Sequence, residues 1–335
     1  MSPAPARVLE ALREAGDGWL SGELLSGRLG VSRAQVWKHV QALRTRGYRI
    51  EGEAGGGYRL CGSPDRLYPE EVLRGLETRW MAHPYHHLET TDSTNRVAFE
   101  LASAGAPHGT TVVAEGQTAG RGRLGRSFFS PPHLNLYTSV VLRPDVSLAS
   151  APTVILAAAV AVAESVAATL GDAEAVDIKW PNDVQIDGRK AAGILMELHA
   201  EAARVGFLVL GIGVNLNVER EDFPSELRET ATSLRAVSGR SVDRVAFARL
   251  LYGTLEEVMD RFATAGFESL RPRFEARFQM PGRRVDVSEA GGGATIQGVA
   301  LGIDPDGALR VRADDGRERR VVAGDVTLSP AGAPP

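Results

Sequence analysis

Residues 116–131 read GQTAGRGRLGRSFFSP and set Arg121, Arg123 and Arg126 among Gly120, Gly122 and Gly125. Guanidinium groups hold phosphate with fixed charge, and glycine lets main-chain amides approach an anion closely. Three readings are open for such a loop: an anion cradle, a nucleic-acid contact or a solvated turn. There is no GKS or GKT ending, so it is not the nucleotide-cradling P-loop, and no acidic residue follows at the spacing of a dinucleotide fold. A disordered arginine-glycine tract would repeat, and this run occurs once, between expected strands. An ordered anion-enclosing loop therefore stands beside the solvated turn, with the aromatics of SFFSP able to cover an apolar ligand or a purine.

A second group lies in KWPNDVQIDGRKAAGILMEL, residues 179–198, where Lys179, Asn182, Asp183 and Lys190 surround a turn containing Pro181. Only Lys38, Lys179 and Lys190 of the 38 basic residues are lysine, a bias that codon usage explains and that makes each lysine a candidate for a position where a compact ammonium is required and a planar guanidinium will not substitute. A hairpin at DGRK brings Lys190 back toward Asp183, a carboxylate suited to Mg²⁺. That grouping points to phosphoryl chemistry and an ATP-using enzyme. A third cluster, Asp92–Asn95 in HLETTDSTNRVAFE, reads first as a helix N-cap and second as a ligand-facing loop.

Positioning these groups calls for an α/β or α+β scaffold. TTVVAEG, LNLYTSVVL, VDIKWPNDVQID and VGFLVLGIGVNL are the expected strands, and residues 151–170 and 243–269 the long helices. The Ala-rich run from Ala151 is too short before Glu164 to span a bilayer and reads as a buried helix. The segment from Arg283 onward reads as short strands joined by Gly and Asp turns.

The amino-terminal residues have a different character. RVLEALREAG places Val8, Leu9, Leu12 and Ala15 on one helix face, SGELLSGRLG turns Leu24, Leu25 and Leu29 inward, and SRAQVWKHVQALRTRG buries Val36, Val40 and Leu43. Two short strands with a glycine-rich tip follow, which is the order of a winged helix-turn-helix. Its third helix presents Ser32, Arg33, Gln35, Lys38 and His39 as candidate DNA contacts, a small docking module with a solvated face being the other reading. Residues 1–61 carry nine basic and six acidic side chains, in a chain of net charge −4, so a mildly basic head sits on an acidic body. The wing tip has no basic residue. One cysteine, Cys61, excludes an internal disulfide framework, and with no secretory pattern at the start a cytoplasmic protein is expected.

STN at 93–95, GRGRLGR at 120–126, KWPND at 179–183, GRKAAGIL at 188–195 and GIGVNLN at 211–217 together resemble biotin–protein ligases, and the winged helix before them resembles the bifunctional ligase/repressor type. The resemblance implies a multidomain α+β fold. A winged helix-turn-helix would occupy residues 1–62, a class II aminoacyl-tRNA synthetase-like mixed-sheet domain 63–274, and an SH3-like β-barrel 275–335. It also implies activation of biotin by ATP and Mg²⁺ to biotinyl-5′-AMP, then transfer to a lysine of the biotin carboxyl carrier protein of acetyl-CoA carboxylase. Operator DNA of biotin genes would be a second partner, and the adenylate-bound form a homodimer, with no membrane partner.

By the same resemblance Lys190, Arg123 and Asp183 are catalytic. Ser93, Thr94, Asn95, Gln117, Arg121, Gly122, Arg123 and Lys190 bind biotin. Arg121, Arg123, Phe128, Lys179, Asn182, Asp183 and Asn215 bind ATP or the adenylate, with Asp183 as the Mg²⁺ ligand. Phe128 stands where this family often has tryptophan. Two alternatives are kept: a ligand-sensing repressor with little ligase activity, and a lipoate or octanoate ligase.

Overall fold

The computed structural model describes residues 3–53, 55–201, 204–289 and 295–328. Two compact units divide at Arg66/Leu67.

In the first unit, helices α1 (Pro3–Glu14), α2 (Gly22–Leu29) and α3 (Arg33–Thr45) precede a hairpin of β1 (Arg49–Glu53) and β2 (Gly57–Gly62). Val8, Leu9, Leu12, Leu25, Val36, Val40 and Leu43 form its core. Ser21 caps α2, and Ser32 with Gln35 forms a reciprocal capping box on α3. Leu24, expected inward, is 45% exposed: α2 has only eight residues, and Leu25 takes the core-facing position. Gly57 has φ +106°, and a Cβ there would lie 2.1 Å from the Leu20 carbonyl oxygen, so the wing closes on Leu20 only through glycine.

The second unit is built on a seven-stranded sheet. Its elements are α4 (Pro69–Val72), β3 (Tyr85–Thr91), α5 (Thr94–Ser103), β4 (Thr111–Gln117), β5 (Leu136–Leu142), α6 (Pro152–Leu170), β6 (Val176–Lys179), β7 (Asp183–Ile186), β8 (Arg189–Glu201), β9 (Arg204–Val214), α7 (Leu234–Ser238), α8 (Arg244–Ala265) and α9 (Arg271–Glu275). The strand order is β3-β4-β5-β9-β8-β7-β6, with β3–β4 parallel and the other pairs antiparallel. Both faces are covered. Val113, Val140 and Leu210 join α6 and α8 in the main core, while their neighbours Val112, Val141 and Val209 pack with Ala98 and Ala102 of α5. α6 is long and apolar enough to cross a membrane, but 72% of its apolar window is buried inside the protein, as befits a core helix.

The chain ends in β10 (Arg284–Glu289), β11 (Ile296–Ile303), β12 (Leu309–Ala313), β13 (Glu318–Val321) and β14 (Gly324–Leu328), an antiparallel sheet of order β13-β12-β11-β10-β14. It is tied into the same unit: the buried Trp180 donates from Nε1 to the Gly307 carbonyl at 2.9 Å, and Ile178 N donates to the Arg277 carbonyl.

Candidate functional site

The arginine-glycine loop is a small hairpin. Gly122 N donates to Arg126 O at 2.7 Å and Phe128 N to Gly120 O at 2.9 Å, which closes the loop around a left-handed tip at Leu124 and Gly125. The loop covers a half-open cleft. Ten of the residues expected to act line it: Ser93, Thr94, Asn95, Gln117, Arg121, Gly122, Arg123, Phe128, Asn182 and Lys190.

One end of the cleft is a neutral hydrogen-bonding pocket. Ser93 occupies the N-cap of α5 without capping it, so the simple N-cap reading of this cluster does not hold. Gln117 Oε1 accepts from Thr94 N at 2.9 Å and from Thr94 Oγ1 at 3.2 Å, while its Nε2 donates to Ser130 Oγ at 3.1 Å. Ser139 Oγ lies 2.6 Å from Asn95 Oδ1, and Asn95 Nδ2 donates to Glu197 at 2.9 Å. Asp92 turns away, pairing with Arg96 and accepting from Ser93 N, and these bonds hold its carboxyl well below the usual carboxylate range.

The opposite end is charged. Lys190 Nζ sits 2.6 Å from Asp183 Oδ1, an ion pair whose alignment falls outside that of a hydrogen bond. The β7–β8 turn at Asp187–Gly188, with φ of +49° and +73°, folds Lys190 back against β7 as the DGRK pattern predicts. Arg123 donates to Asn182 Oδ1 at 3.2 Å and to the Gly324 carbonyl at 3.0 Å. Burial draws its guanidinium below the ordinary arginine value, opposed by the carboxylates of Asp325 and Asp183. Asn182 is itself fixed by donating to Ile194 O at 2.8 Å.

Gly193, Gly211 and Gly213 form a floor that was not read from the sequence. Gly193 and Gly213 are paired across β8 and β9. A Cβ on Gly213 would lie 2.6 Å from the Phe128 ring, and one on Gly211 2.0 Å from Asn95 Oδ1. The recoverable signal was the period-two glycine in GIGV, which removes side chains from one face of a strand. Tyr137, Ile194, Leu195 and Ile212 complete the lining.

Three expected site residues lie off the cleft lining. Asp183 reaches it through Lys190. Lys179 stands opposite Asp183 across the β6–β7 pair. Asn215, 5% exposed, follows β9 and bonds Thr232 O and Asn135. Beneath them Glu115 and Arg244 form a fully buried ion pair at 2.9 Å. Burial pushes Glu115 upward, but His87, Arg244 and the Leu67 amide outweigh it and hold the carboxyl below its ordinary value. Ser32, Arg33, Gln35, Lys38 and His39 lie on the first unit, where Gln35 Oε1 is bound to Ser32 N at 2.8 Å.

An arginine-glycine loop over a cleft in a mixed sheet, carried with a winged helix-turn-helix, is the organisation of a ligase joined to a DNA-binding head. Residues 87–215 match the Biotin/lipoate A/B protein ligase family, residues 6–59 an HTH domain, and residues 282–329 the Biotin protein ligase C terminal domain. The chain belongs to the biotin protein ligase family. It is 38% identical over 96% of its length to the Bifunctional ligase/repressor BirA of Bacillus spizizenii, covering 97% of that protein. It is 33% identical to the Bifunctional ligase/repressor BirA of Escherichia coli K12, with 93% of each chain covered. Among solved structures, the biotin protein ligase of Aquifex aeolicus in complex with biotin and ATP aligns over 73% of this chain and 98% of that one, with TM-score 0.63 and 27% identity.

Proposed function

We propose that the protein activates biotin with ATP to biotinyl-5′-AMP, transfers the biotinyl group to a carrier-protein lysine, and represses transcription through its winged helix. The observation that carries this reading is the two-ended cleft. Its neutral end offers Ser93, Thr94, Asn95 and Gln117 to a ureido ring, whose N–H and carbonyl groups need such partners and which a dithiolane lacks. Its charged end brings Lys190, Asp183, Asn182 and Arg123 around one point. Between the two, the glycine floor leaves a passage for an aliphatic tail.

In this reading the biotin carboxylate attacks the α-phosphorus of ATP and pyrophosphate leaves. Lys190 stabilises charge where carboxylate and phosphate meet, and Arg121 and Arg123 hold the adenylate while the loop excludes water. A carrier lysine ε-amine then attacks the acyl carbon, AMP leaves and the amine loses a proton. Phe128 covers the ligand from the loop side, and Lys179 and Asn215 support the nucleotide end. No group of three metal-ligating side chains occurs among the described residues. Asp183 is the residue that would hold Mg²⁺ together with substrate phosphates, and such an ion would neutralise phosphate charge. The chemistry belongs in the cytoplasm, where ATP and the biotin carboxyl carrier protein of acetyl-CoA carboxylase are found. The adenylate-bound form is read as a homodimer on operator DNA of biotin genes.

Biotin-dependent ATP–pyrophosphate exchange tests the reading. Exchange with biotin, none with lipoate and loss in Lys190→Ala are expected. Exchange driven by lipoate instead would refute it, and an undiminished Lys190→Ala enzyme would refute the role of the lysine.

A further inference from the structure

The polar face of α3 is less available for base contacts than its composition suggests. Ser32 Oγ and Gln35 Oε1 bind each other's main-chain amides in the capping box, and Arg44 Nε donates to the Ile50 carbonyl at 2.9 Å. In the middle of the same helix Trp37 is 54% exposed, the most exposed aromatic side chain among the described residues. It stands one turn after Arg33, beside Lys38, and lines an open cleft between α3 and the wing with Arg33, Ala34 and Arg44. An indole in water on a helix whose other large apolar residues, Val36, Val40 and Leu43, are fully buried is a contact surface awaiting a partner.

The charges around it narrow the partner. Arg33 and Lys38 flank the indole on the helix. The wing contributes exposed Glu51 and Glu53, and Arg59 is paired with Glu51. Arg49, the other basic residue of the wing strands, donates to the Cys61 carbonyl at 3.3 Å, so Arg33 and Lys38 on α3 are the cations placed to hold phosphate beside the indole. Such contacts fix register, and base-edge contacts from the same helix set the sequence preference. Within a major groove the one apolar feature of a base edge is the thymine C5-methyl group.

We propose that Trp37 is a specificity-determining residue that packs its indole against thymine methyl groups in the major groove. This rests on the DNA-binding reading above. Full-length protein with biotin and Mg-ATP would be titrated with duplex DNA from upstream of the host's biotin genes and with a scrambled duplex. Each duplex would be made with thymine and with deoxyuridine, for wild type, Trp37→Ala and Trp37→Phe, with folding checked by circular dichroism. Trp37→Ala is expected to lose about 10- to 100-fold in affinity for the upstream duplex, with little change on the scrambled one. Deoxyuridine should weaken the wild type and leave Trp37→Ala unaffected, with Trp37→Phe between them. Equal binding by wild type and both variants would overturn the proposal while leaving DNA binding intact, as would a deoxyuridine effect that persists in Trp37→Ala. A wild type that treats upstream and scrambled duplexes alike would refute the operator reading and this proposal with it.

Discussion

Arg244→Met tests the buried pair beneath the site. Both side chains are fully buried, and Arg244 reaches Glu115 Oε2 at 2.9 Å. Methionine keeps much of the length and removes the charge, so the loss is electrostatic and not one of volume. Removing one partner of a buried pair costs about 3–5 kcal/mol. Glu115 keeps the Leu67 amide at 2.7 Å and His87 at 3.2 Å, so the lower end, about 3 kcal/mol, is expected. At about 2–4 °C per kcal/mol for a unit of this size, Tm should fall by about 6–12 °C.

The pH dependence gives a second check. In the wild type Glu115 is held below its ordinary value of 4.5. Its stabilisation is therefore complete above about pH 4.5 and is lost as pH falls through the lower folded value. In Arg244→Met, burial acts on Glu115 without the guanidinium, its pKa rises, and stability falls as pH increases through that raised value. The gap between the two proteins should widen from pH 4 to pH 7. Arg244 also donates to the Asn135 carbonyl at 3.2 Å, and Asn135 bonds Asn215, so the KM for ATP should rise more than that for biotin. Urea unfolding across pH with exchange kinetics reads all three. A variant within about 1 kcal/mol of wild type at pH 7, or a gap that ignores pH, would refute this account of the pair.

Two further predictions follow from the site and its edge. Gly213→Ala places a Cβ 2.6 Å from Phe128, well inside van der Waals contact; calorimetry should show biotin affinity reduced by about tenfold or more with stability lowered by no more than about 1–3 kcal/mol as the Phe128 ring shifts, and unchanged affinity would remove the floor from the binding surface. Asp177 is raised by burial from 3.8 to about 6, against the pull of Arg283 and Lys179. Its charge thus costs nothing below about pH 4, a growing amount between 4 and 6, and up to about 3 kcal/mol above. Asp177→Asn should match the wild type in thermal unfolding at pH 4 and exceed it at pH 7, and equal stability at both would contradict the assignment.

Much of the architecture was legible because periodicity reports which side of an element is buried. Val36, Val40 and Leu43 marked α3, and the strand around Phe207 and the hairpin at Lys190 fell where alternation and turn residues put them, whereas VDIKWPNDVQID, expected as one strand, breaks at Trp180–Asn182 into β6 and β7. The loop and Lys190 stood out as residue types that suit phosphate, whereas the serine-threonine-asparagine cluster read first as a helix cap and only the family resemblance assigned it to biotin. The Glu115–Arg244 pair was not legible: its members are 129 positions apart, and nothing local distinguishes a buried glutamate in TTVVAEG from an exposed one. Trp37 escaped because Val36, Val40 and Leu43 already accounted for the buried stripe of α3, and the helical period does not say what an aromatic off that stripe contacts. Leu24 failed similarly, because a two-turn helix leaves its apolar face loosely defined.

The grip of Arg123 on Gly324 has an evolutionary side. The acceptor is a main-chain carbonyl at the start of β14, where Gly324 pairs with Glu289 of β10. No point substitution at position 324 deletes that oxygen. An insertion or deletion of one residue in the preceding turn, by contrast, moves it along the strand by about 3.3 Å and breaks the contact. At this end of the chain a lineage must therefore preserve the spacing of its letters more strictly than their identity, and tolerance to mutation should look high in a substitution scan and low in a scan of single-residue gaps.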